Sequence, residues 1–104
     1  MTFSEYVVKL ARMIPVGRVT TYGRIAKAAG GGAMASQSIT GILAKAYNEG
    51  IKDIPFHRIV YADGRVWVDD VHHKERMRLY KKEGIVLDKN NKIQNFDDIV
   101  FEFK

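Results

Sequence analysis

The chain has 104 residues, 46% hydrophobic and 28% charged, enough to bury an ordinary core as one soluble domain. It contains no cysteine, which excludes a disulfide scaffold, a thiolate metal site and a cysteine nucleophile. Its formal net charge of +5 lies wholly in residues 1–48, where six basic side chains face Glu5 alone, and this points to an anionic partner, nucleic acid being the commonest.

Thr2-Phe3-Ser4-Glu5 has the spacing of a capping box. Phe3, Val7, Leu10, Ala11 and Ile14 then recur at helical intervals, and Pro15 and Gly17 end this first helix. A short extended entry at Val19-Thr20-Thr21 leads to a second helix, from Thr21 or Tyr22 to Ala29, with Gly30 just past its end. Beyond the permissive stretch Gly30 to Ala35, Ser36 is placed to cap a third helix reaching Asn48. Its buried face carries Ile39, Leu43 and either Ala46 or Tyr47. Two helices joined by a glycine-rich turn form either a helix-turn-helix or a plain helical hairpin.

Ile59-Val60-Tyr61 and Val66-Trp67-Val68 flank the turn Ala62-Asp63-Gly64-Arg65, which predicts a β-hairpin. After two such helices a hairpin reads as a wing. Asp69 or Asp70 can cap a fourth helix ending near Glu83 and Gly84, with Val71, Met77 and Leu79 or Tyr80 as its inner stripe. Asp88 to Asn91 is a polar turn, and residues 99–103 alternate as a last short strand. The fold class is mainly α with a small β-hairpin wing, a winged helix-turn-helix. No apolar run approaches the roughly 20 residues that span a bilayer, and the N-terminus lacks a signal-peptide pattern, so a cytoplasmic location is expected.

Three motifs carry a resemblance. The run Pro15-Val16-Gly17-Arg18-Val19-Thr20-Thr21-Tyr22-Gly23-Arg24-Ile25-Ala26 resembles the opening of the DNA-binding domain of O6-alkylguanine-DNA alkyltransferases. Ile54-Pro55-Phe56-His57-Arg58-Ile59-Val60 resembles the Pro-Cys-His-Arg-Val active-site motif of that family, and Glu83-Gly84 resembles the pair ending its next helix. The match covers residues 3–86 and leaves 87–104 unassigned. Phe56 stands where those enzymes carry the cysteine that accepts the alkyl group, so self-alkylating repair by this chain is chemically excluded. The closest pattern is that of the alkyltransferase-like proteins, which lack the cysteine, flip alkylated guanine into the old pocket and pass the lesion to nucleotide excision repair.

The resemblance implies roles residue by residue. Tyr22 matches the tyrosine that rotates the target phosphate. Phe56 lines the pocket for the flipped base or, as a core ring, fills it. His57 and Glu83 match the pair that activates the missing thiol, which leaves them a scaffold role, and Arg58 braces the loop. Trp67 either packs in the hairpin or lines the pocket. The family's intercalating arginine is absent, since no arginine lies between Arg24 and Arg58. Gln37 or Ser38 falls in its place. Phosphate contacts are expected from Arg18, Arg24, Lys27 and Lys45 and from the N-terminal amides of the second and third helices, and Thr21 and Ser36 complete the expected DNA-binding set.

The function that follows is non-enzymatic recognition of O6-alkylguanine in double-stranded DNA by base flipping, approached from the minor groove, with no cofactor or metal, as a monomer that promotes nucleotide excision repair. Two competitors remain. A sequence-reading winged-helix regulator needs base-contacting side chains on the third helix, and an interaction module derived from the family needs no DNA at all.

Overall fold

The computed structural model describes residues 1–32, 35–67 and 71–103. Ala33 and Met34 of the glycine-rich turn, Val68 of the expected hairpin and the candidate caps Asp69 and Asp70 lie outside them. Helix α1 is Phe3–Arg12, and its capping box forms as predicted. The Glu5 amide donates to Thr2 Oγ1 at 3.2 Å, and the Thr2 amide donates to Glu5 Oε1 at 3.2 Å. Val7, Leu10 and Ala11 point inward from it.

Strand β1 is only Thr20–Thr21, and helix α2, Tyr22–Ala28, follows without a break. Thr21 is buried because it serves both, its hydroxyl accepting the Arg24 amide at 3.2 Å. Gly31 lies against α1. A Cβ there would sit 2.5 Å from the Ala35 Cβ and 2.9 Å from the Phe3 ring, so only glycine lets the chain pass.

Helix α3 begins later than expected. Ala35–Ser38 is a 3₁₀ turn, and the α-helix runs Ile39–Asn48. Ser36 is therefore inside the 3₁₀ turn rather than a cap. Ser38, at the boundary, donates its hydroxyl back to the Ala35 carbonyl at 2.8 Å and caps nothing. Ile39, Leu43 and Ala46 are buried and Tyr47 is exposed, which settles the inner face in favour of Ala46.

Two apolar clusters make the core. One joins Val7, Ala11, Ile14, Ile25, Ile39, Leu43 and Ile59 between α1, α2 and α3. The other joins Val19, Val60, Val66, Tyr80, Ile85 and Ile93. Strand β2, Ile59–Val60, pairs in parallel with β1, Thr20 opposite Ile59 and Thr21 opposite Val60. Adjacent side chains on a strand point to opposite faces, so Ile59 enters the first cluster and Val60 the second. This pair is the seam between them.

The mainly helical helix-turn-helix class stands, but the wing is built differently from a simple hairpin. Its turn forms, the Tyr61 amide donating to the Arg65 carbonyl at 3.0 Å around Gly64 at φ +90°. Its arms go to other partners. The first arm is β2, committed to β1. The second pairs with residues beyond α4. Arg65 bridges Lys92 antiparallel, the Val66 amide donates to the Asn91 carbonyl at 2.9 Å, and the Ile93 amide donates to the Gly64 carbonyl at 3.0 Å. Burial of Val66 and Ile93 in one cluster drives that exchange.

Helix α4 is His73–Lys82. Val71 is 83% exposed and does not belong to its inner stripe, whereas Tyr80 is fully buried. The C-terminal strand is also revised. Phe96–Ile99 forms a short helix, α5, and only the chain after it is extended. Val100 bridges Val19 in parallel, and the Phe101 amide donates to the Val19 carbonyl at 2.6 Å. The edge of β1 away from β2 is thus covered.

Candidate functional site

Three elements that start or end at the seam bring aromatic side chains together. Tyr22 opens α2 immediately after β1. Phe56 opens the 3₁₀ turn Phe56–Arg58 that leads into β2. Tyr61 and Trp67 stand on either side of the wing turn. Together with Ser36, Gln37, Thr40 and Arg76 they border a cavity of about 730 Å³. The Tyr22 and Tyr61 rings lie 5.8 Å apart and tilted by 50°. The Arg76 guanidinium stands 5.2 Å from the centre of the Trp67 ring.

Of the residues expected at the pocket, Tyr22, Phe56 and Trp67 line it, and so do Ser36 and Gln37 from the surface set. Trp67 is 42% exposed and faces the cavity, so it is not a packed hairpin tryptophan. Burial raises the pKa of the Tyr22 phenol, with a hydrogen bond from Thr40 partly offsetting it, so the hydroxyl stays protonated at neutral pH.

His57, Arg58 and Glu83 form a support behind Phe56. Glu83 accepts the Gly17 amide at 2.9 Å, Arg58 Nη2 at 2.9 Å and His57 Nε2 at 2.5 Å. Arg58 Nη1 also donates to the Ile14 carbonyl at 3.0 Å. One carboxylate thereby joins the end of α4, the loop after α1 and the motif loop. Burial works to raise the Glu83 pKa, but the bonds from Arg58, Gly17 and His57 outweigh it and bring it to about 2. Burial lowers the His57 pKa, partly countered by Glu83, so the imidazole is neutral at pH 7. These contacts tie His57, Arg58 and Glu83 together behind the pocket wall and hold the motif loop to the Ile14 carbonyl and the end of α4.

The basic side chains are less gathered than the sequence suggests. Arg18 donates to the Ile99 and Val100 carbonyls, each at 2.9 Å, and so holds the C-terminal segment. Arg24 meets both carboxylate oxygens of Glu102 at 2.8 Å. Thr21 is buried at 3% exposure, its hydroxyl taken by Arg24. Lys27 is exposed on α2. Lys45 lies on the α1 side of α3 and lines a separate groove with Lys9, Arg12 and Glu49. Ser38 is exposed, beside the cavity-lining Gln37.

Among the cavity residues that escape the sequence reading are Thr40, Tyr61, His72 and Arg76. Thr40 carries a local signal, lying three residues after Gln37 and so on the same side of the third helix as the sequence predicts it. Tyr61 and Arg76 carry none, because only the fold sets the wing and α4 against α2.

Among the described residues no three His, Asp or Glu side chains converge as metal ligands, and no helix is long and apolar enough to cross a membrane. The family model "6-O-methylguanine DNA methyltransferase, DNA binding domain" matches residues 2–85. A bifunctional methyltransferase/endonuclease of Thermoplasma volcanium is 35% identical over 103 residues, 96% of this chain but 31% of the relative. The chain thus spans about a third of that protein's length. Two crystal structures from S. pombe are similar in fold. Atl1 in complex with damaged DNA containing O6-carboxymethylguanine superposes with a TM-score of 0.72 at 23% identity, over 96% of this chain and 94% of that one. An ATL–DNA complex gives 0.72 at 24% identity over the same shares. On the family match and the motifs at Tyr22, Phe56 and Glu83, the chain belongs to the 6-O-methylguanine DNA methyltransferase DNA-binding domain family, with phenylalanine where the acceptor cysteine stands.

Proposed function

We propose that this chain recognises O6-alkylguanine in double-stranded DNA without reacting with it, by turning the modified nucleotide out of the helix and into the aromatic cavity. The observation that carries the reading is the cavity itself. Its volume, about 730 Å³, is that of a small-molecule site, and rings from four separate positions, Tyr22, Phe56, Tyr61 and Trp67, form its walls. Stacking on aromatic faces compensates the few kcal/mol that unstacking a base costs. No thiol is present to accept the alkyl group, so the lesion leaves the complex unchanged. The fold shared with Atl1 bound to damaged DNA supports the same reading.

In this account α3 approaches the minor groove, Gln37 fills the gap left by the flipped base, and the exposed Lys27 meets a phosphate. The bent, opened duplex marks the site for nucleotide excision repair proteins, and a monomer suffices.

A duplex with O6-methylguanine and a neighbouring 2-aminopurine tests the flip. Saturating protein should raise the 2-aminopurine fluorescence as its stacking partner leaves. Tyr22→Phe, which removes only the hydroxyl, should cut that rise several-fold. Saturated binding with no rise in fluorescence would overturn the flipping mechanism.

A further inference from the structure

A second, smaller chamber of about 230 Å³ adjoins the aromatic cavity. The two share Phe56, His72 and Arg76, so these residues stand at the junction. Phe56 lines both chambers, and its ring makes an edge contact with Tyr47, the centroids 5.9 Å apart. The smaller chamber is also bordered by Lys52, His57 and Glu75. Glu75 reaches outward to Arg78 at 3.7 Å. Among the described residues no carboxylate lines the larger chamber.

Arg76 is half-buried in α4, with its guanidinium against Trp67. A cation beside apolar and aromatic walls acts through a lower dielectric than at an open surface. Its planar fork matches a carboxylate in two parallel hydrogen bonds. A methyl group on O6 offers it nothing. A substituent that extends past Phe56 and ends in an anion does.

We propose that Arg76 is a specificity-determining residue that selects O6 substituents ending in a carboxylate, seated where the two chambers meet. This rests on the lesion-binding reading above and names the class of adduct that the site prefers.

The test uses four duplexes identical except at one position, which holds guanine, O6-methylguanine, O6-carboxymethylguanine or its isosteric amide, O6-carbamoylmethylguanine. The last pair differs in charge and hardly in shape. The protein should bind the carboxylate about tenfold more tightly than the amide, the scale of one charge-assisted hydrogen-bond pair. Arg76→Gln should bring that ratio to near one, and Arg76→Lys should retain part of it, with thermal melts confirming that both variants fold. A ratio near one in the unaltered protein, or one that survives in Arg76→Gln, overturns the inference while a preference for O6-methylguanine over guanine leaves the lesion reading intact. Equal binding of all four duplexes overturns both.

Discussion

Glu83 receives two cationic or potentially cationic side chains and one backbone amide while only 4% of its side chain is exposed. Its ordinary pKa of 4.5 falls to about 2 in the fold, a difference worth on the order of 3 kcal/mol. A depressed carboxyl pKa stabilises the fold above the unfolded value and loses that contribution as pH falls through the folded one. Stability should therefore decline from about pH 5 toward pH 2. His57 adds to the decline earlier, because its pKa is lowered by burial and the unfolded chain takes up its proton first, near pH 6.5. Glu83→Gln leaves Arg58 buried without its counter-charge and should cost about 3–5 kcal/mol at pH 7. It should also flatten the acid limb. Urea unfolding at pH 7, 4 and 3 checks both, and a variant as acid-sensitive as the parent would show that Glu83 does not govern that limb.

At the scale of elements, what local spacing encodes was legible. Thr2 and Glu5 lie within three residues of each other, and their capping box is where the sequence puts it, while α2 opens at Tyr22, one of the two starts the sequence allows. The motif at residues 54–60 likewise placed Phe56, His57 and Arg58. The pairing of the wing was not legible, because residues 64–66 and 91–93 meet only through the fold, around α4. Nor was the duty of Arg18, whose carbonyl partners are 81 and 82 residues away. From sequence alone a solvated arginine in a basic half looks like a phosphate contact, whereas the fold turns it inward as an anchor. Arg18→Met, which keeps the apolar stem, should lower stability by about 2–3 kcal/mol, the scale of hydrogen bonds from a charged donor. Amide exchange at Val19 and Phe101 should accelerate more than exchange within α1. An unchanged melting temperature would contradict the anchoring role.

For the whole molecule, the first-half excess of positive charge supports an electrostatic attraction to DNA that is weaker than the count suggests. Arg12 pairs with Asp53 at 2.9 Å and Arg24 with Glu102 at 2.8 Å, so both carry counter-charges. Nonspecific affinity that depends on released counterions should accordingly be modest and fall with salt. On the proposed reading the cavity contributes through stacking and shape instead, and that contribution should persist as salt rises. Fluorescence anisotropy with one short duplex, carrying guanine or O6-methylguanine at a single position and titrated at two salt concentrations, separates these contributions. The account predicts tighter binding to the alkylated duplex, with a preference that holds or grows at the higher salt. Equal binding to both duplexes that weakens together as salt rises would contradict lesion recognition and leave a general duplex binder.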